Sequence, residues 1–158
     1  MKTLLLIALS IPLTAVADAP KKTFDVNGPA TLVPGTSIGP FKLGMTRGEI
    51  DKLGIGYRSP ATSIIVTGPY EIALDRDDRV TSISRRMAVD SDGKALKGGV
   101  VLAGKTIAPK TSFADLTRRI RGCRAPVSLI GGTVAKCADH TFVGAVGPFG
   151  VVVIGIEK

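Results

Sequence analysis

The residues of this chain with the most reactive side chains are Cys123, Cys137 and His140. A cysteine near an imidazole can serve as a nucleophile, and a Cys/His cluster can hold a metal. The metal reading fails on ligand count, because His140 is the single histidine and no Cys-x-x-Cys pair accompanies it. The N-terminus, described below, reads as an export signal. Two cysteines in an exported chain are read first as a disulfide. Cys123–Cys137 would close a loop of 137 − 123 + 1 = 15 residues, and in the chain-entropy model such a bridge stabilises by ~3 kcal/mol. A bridge also consumes both thiols, so cysteine catalysis drops out. His140 then remains between Asp139 and Thr141. Adjacent residues of a strand point to opposite faces, so Asp139 and His140 do not form a catalytic pair on that basis. The expectation is an exposed turn histidine.

The carboxylates divide in the same way. Acid and base work needs two of them converging in a cleft, but Glu49 and Asp115 are accounted for as helix-cap partners of Thr46 and Ser112. Asp75, Asp77 and Asp78, and separately Asp90, Asp92 and Gly93, resemble the opening of a calcium loop. Neither run continues to the closing Glu that such a loop uses, so both are read as turns. The glycines Gly144, Gly147 and Gly150 are followed by the β-branched run Val151 to Ile154, where a phosphate loop would need a helix. Gly-Pro-aromatic at Gly39, Gly68 and Gly147 is turn chemistry. The sequence therefore predicts no catalytic residues, no metal and no cofactor.

The opening MKTLLLIALSIPLTAVADA has one lysine, an apolar run from Leu4 to Val16 and small residues at Ala15 and Ala17. It reads as a secretory signal peptide, residues 1–17, cleaved near Ala17. No stretch approaches the ~20 apolar residues of a membrane span, and Asp18 rather than cysteine follows the cut, so neither a span nor a lipid anchor is expected. The predicted location is periplasmic or secreted. Removing residues 1–17 leaves 158 − 17 = 141 residues, with 21 − 1 = 20 basic and 13 acidic, a net charge of +7. That balance favours an acidic partner. Nucleic acid is not expected, since no basic run is interleaved with aromatics.

These residues must be positioned by a fold, and the clearest local signal is Ser37 to Gly54. Thr46 and Glu49 form a capping box, Met45 and Ile50 a hydrophobic staple, and Gly54 a stop, so a helix is predicted over Arg47 to Leu53. Strand-like runs follow at Thr62 to Thr67, Tyr70 to Asp75 and Arg79 to Met87. The plan then repeats. Ser112 and Asp115 open a second helix with Phe113, Leu116 and Ile120 on one face, ahead of runs at Val127 to Ile130, Thr133 to Cys137, Thr141 to Val146 and Val151 to Ile156. The two caps lie 112 − 46 = 66 residues apart, a period that suggests duplication. The predicted fold is α+β, with two tandem helix-plus-antiparallel-meander units and the helices packed on one side of the sheet. Its parts are a flexible lead-in at 18–31, a first unit at 32–87, a linker at 88–99 and a second unit at 100–158 that carries the disulfide.

The stretch Gly39 to Gly54, GPFKLGMTRGEIDKLG, resembles the helix start of BamE-type outer-membrane assembly lipoproteins and of beta-lactamase inhibitory proteins. The resemblance implies helices packed on antiparallel sheet and, for the inhibitory family, two tandem repeats. It departs from the BamE type in the missing lipid-bearing cysteine, and from the inhibitory type in its sparse aromatics, 5 Phe, 2 Tyr and no Trp. Three functional classes follow. The first is an exported, non-enzymatic protein-binding module, such as an inhibitor or immunity protein against an envelope-acting enzyme. The second is an envelope structural or assembly protein, and the third a small hydrolase with His140 as base. For the first, the apolar terminal strand Val151 to Ile156 needs cover on both faces, one of them from the first unit or a partner, and Arg85 and Arg86 are the candidate rim residues that would steer an acidic protein toward it.

Overall fold

Short apolar runs separated by Gly, Pro and Asp turns favour strands over helices, and extended backbone dominates the computed structural model, which describes residues 24–147 and 150–158. The first layer of chain holds Ala30–Val33 (β1), Ser37–Ile38 (β2) and Phe41–Lys42 (β3), then the helix Arg47–Asp51 (α1). A meander follows, Arg58–Ala61 (β4), Ile64–Thr67 (β5), Tyr70–Leu74 (β6) and Val80–Arg86 (β7). Next come the hairpin Val100–Leu102 (β8) and Lys105–Ile107 (β9) and the helix Phe113–Arg119 (α2). A second meander closes the chain, Val127–Leu129 (β10), Gly132–Lys136 (β11), Thr141–Val146 (β12) and Val151–Glu157 (β13).

The expected α+β class is corrected here. Among the described residues the protein is mostly β, 44% strand against 9% helix, with two helices and two large sheets. The local signals at the helix starts do form. Thr46 N–H donates to Glu49 Oε2 at 2.7 Å and Glu49 N–H donates back to Thr46 Oγ1, and Asp115 N–H donates to Ser112 Oγ. A cap begins a helix without giving it length, and these helices run only five and seven residues. The larger departure lies in the extended segments that precede them. Those segments pair with each other in a separate five-stranded sheet of order β3-β2-β1-β8-β9. Its central pair, β1 with β8, is parallel, with Ala30 opposite Val100 and Leu32 opposite Leu102.

The two meanders form one eight-stranded antiparallel sheet, β10-β11-β12-β13-β7-β6-β5-β4, joined where β13 pairs with β7. Residues directly opposite one another share a face, so register separates the inner side of this sheet from the outer. One inward row is Thr141, Ile156, Ile83, Ile72 and Ile65, all buried. The next is Ala135, Val143, Ile154, Arg85, Tyr70 and Thr67, also all buried. Leu32, Ile38, Phe41, Ile50 and Leu116 belong to the same core. The five-stranded sheet and the helices thus cover the inner side, with β2 and β3 against β7 and α2 against β12.

Residues 1–17 lie outside the described residues. Of the segment 18–31, residues 24–31 are described. Phe24 packs on the core, Gly28 N–H closes a turn on Asp25 O, and Ala30 and Thr31 begin β1. Residues 88–99 form a packed loop. Asp90 is buried and accepts from the N–H groups of Asp92 and Lys94, and Leu96 is buried. Cys123 and Cys137 form the disulfide, tying the chain after α2 to the end of β11.

Candidate protein-binding face

The opposite side of the eight-stranded sheet carries the other half of each strand's alternation. Along β10, β11, β12, β13 and β7, one outward row is Val127, Val134, Gly144, Val153 and Arg86. Beside it runs Leu129, Gly132, Val146 and Val151. Val127 is 59% exposed, Leu129 60% and Val146 39%, while Val134 and Val151 are half-buried and Val153 is buried, so the apolar side chains that face water lie on β10 to β12, toward the sheet edge. Scattered exposed apolar residues are ordinary, but neighbours in two adjoining rows make a patch.

Glycines and their neighbours shape this surface. A side chain at Gly144 would press on Val153, and one at Gly155 would run into the Phe142 ring, which lies over that glycine. Phe142 and Gly155 belong to a third outward row with Lys136, Ser84, Glu71, Val66 and Arg58. Polar groups therefore border the apolar rows on the side toward β4. Lys136 Nζ pairs with Glu157 Oε1 at 2.7 Å, and Arg58 with Asp92 at 3.7 Å. Arg86 takes part in no ion pair among the described residues.

The two arginines expected together at a rim are separated by the strand. Arg86 is half-buried on the outward face, at the end of the apolar row. Arg85 is fully buried on the inward face, and this corrects its expected exposure. Its Nη2 donates to Gly28 O at 2.7 Å and to Gly98 O at 3.3 Å, and its Nε and Nη1 have no hydrogen-bond partner among the described residues. Tyr70, beside it, has its hydroxyl pKa raised by burial, a shift that the Arg85 charge opposes. A guanidinium enclosed in this way cannot contact a partner.

The remaining candidates serve the fold. Asp75 accepts from the backbone N–H groups of Arg79 and Asp77, contacts that, with Arg79 first, hold its pKa below the ordinary value. Glu49 is likewise lowered, chiefly by the Thr46 N–H, and Asp115 chiefly by the Ser112 hydroxyl. His140 is exposed, in the turn between β11 and β12, with Asp139 and His140 at φ +54° and +57°. Sequence reasoning missed Val127, Leu129, Val134 and Val146 as surface residues. Their signal was the strand alternation itself, which shows that two faces differ but not which one is covered. No protein-family model, curated protein or solved structure matches this chain.

Proposed function

We propose that this protein is an exported, non-enzymatic binding module that takes another protein on the open face of its eight-stranded sheet, in the manner of an inhibitor or immunity protein. The observation that carries the reading is the exposure of Val127, Leu129 and Val146 on adjoining outward rows, with half-buried Val134 and Val151 between them and Arg86 at the end of one row. A contiguous apolar patch on a folded surface is a mark of protein contact. An arginine at its end adds what interfaces favour, a cation that can pair with a carboxylate and steer its approach. The net positive charge of the chain supports an acidic partner. The resemblance of Gly39 to Gly54 to inhibitory proteins points the same way.

The test uses the mature protein, Leu129→Glu and Arg86→Glu, each immobilised and exposed to an envelope extract. Capture by the wild type, loss of capture by Leu129→Glu, and slower, less salt-sensitive association by Arg86→Glu are expected. Equal capture and equal association rates by all three, with unchanged thermal unfolding, would overturn the reading.

A further inference from the structure

A separate recess opens on the inner side of the sheet, where the end of α2, the β8–β9 hairpin and the β11–β12 turn meet. Its volume is about 530 Å³, within the size range of small-molecule sites. Leu102, Ile107 and Ile120 line it, the last two buried, while Lys105, Arg119 and Arg121 stand exposed at its mouth. Asp139 is the acidic residue among its lining groups. None of these four charges takes part in an ion pair among the described residues.

We infer that this recess binds a small anionic amphiphile, with the apolar body against Leu102, Ile107 and Ile120 and a carboxylate or phosphate head at Lys105, Arg119 and Arg121. Three cations against one carboxylate leave the mouth net positive, and a guanidinium suits either head group through charge-assisted hydrogen bonds. Some of that positive charge complements the end of α2, since Arg119 lies in its last turn. Lys105 and Arg121 lie outside the helix, so helix complementation does not account for them. The walls are also built at a cost. The β8–β9 turn that borders the recess holds Ala103 at φ +48°, a left-handed conformation that disfavours a side chain such as alanine's, whereas Asp139 at φ +54° is of a type that tolerates it.

The recess is independent of the protein-binding face. Thr141, which lines it, belongs to the inward row with Ile156 and Ile83, so changes at Leu129 or Arg86 should leave it intact.

Calorimetric titration of the full mature protein with decanoate, decyl phosphate, decanol and inorganic phosphate tests the inference. Decanoate or decyl phosphate should bind at least about tenfold more tightly than decanol or inorganic phosphate, because both the body and the head contribute. Lys105→Glu combined with Arg121→Glu should weaken that binding by about tenfold or more and leave decanol unchanged. Leu102→Trp keeps the cations and fills the recess from the hairpin face that also carries Lys105 and Ile107, and it should abolish binding of either amphiphile. Circular dichroism confirms that each variant is folded. Equal affinity for decanol and the charged amphiphiles, inorganic phosphate binding as tightly as decyl phosphate, no saturable binding of either amphiphile, or folded variants that bind like the wild type would overturn it.

Discussion

Arg85 sits directly opposite Tyr70 across the β6–β7 pair, with its guanidinium carbon 5.6 Å from the ring centroid and both residues fully buried. The ring face offsets part of the buried positive charge, and the Gly28 and Gly98 carbonyls accept from one nitrogen. The other nitrogens keep a desolvation cost that no partner offsets among the described residues. Arg85→Met, which fills the volume without a charge, is therefore expected to change stability by less than about 1.5 kcal/mol, the charge relief offsetting the lost hydrogen bonds. Arg85→Ala leaves a cavity as well and should cost about 2–4 kcal/mol. Urea unfolding of the two variants decides. A Met variant as damaged as the Ala variant would show that the guanidinium is a net stabiliser.

Removing the Cys123–Cys137 bridge, by Cys123→Ser with Cys137→Ser, should cost about 3 kcal/mol, the loop-closure value for its size. Denaturant midpoints of the two proteins measure it. Equal midpoints would mean that the bridge contributes little to a fold already held by β11 and β12.

Gly99 lies where the chain enters β8, and a side chain there would collide with the Ile107 carbonyl oxygen. The obstacle is backbone, and it cannot rotate away. Gly99→Ala should destabilise by about 3 kcal/mol or block folding. Gly56→Ala meets no atom within 4 Å and serves as the control in the same thermal melt.

The cap of α1 makes stability depend on pH. Glu49 has its pKa depressed from 4.5 in the folded protein, first by the Thr46 backbone N–H. The unfolded chain then takes up its proton at higher pH than the folded one, so this contribution is full above about pH 4.5 and is lost as pH falls through the folded value. Glu49→Gln should flatten the acid limb of a melting-temperature profile without moving its neutral end upward. Thr46→Ala should cost about 1 kcal/mol at neutral pH. An acid limb identical in wild type and Glu49→Gln would refute the assignment.

His140 holds a left-handed backbone, φ +57°, in a two-residue hairpin turn that favours glycine at this place. His140→Gly should stabilise by about 1 kcal/mol. The same variant tests the hydrolase alternative, because any hydrolysis that depends on this imidazole would disappear while the fold gained stability.

Most of the local structure was legible before any coordinate. Thr46 with Glu49 and Ser112 with Asp115 named the helix starts, since a cap depends only on residues within one turn. The strands from Ile64 to Arg86 and from Val127 to Glu157 lie on the runs that alternation and turn residues marked. Length of helix and partnership of strands were not legible, because both depend on residues distant in the chain. Nothing near Leu32 shows that it will lie parallel to Leu102, and that pairing is what builds a second sheet. The same holds for the candidate site. Sequence placed Arg85 and Arg86 side by side, and alternation required them to face opposite ways. Which one turned inward was decided by register with Ile154 and Tyr70 on one side of the sheet and Val153 on the other, and by which side the five-stranded sheet came to cover.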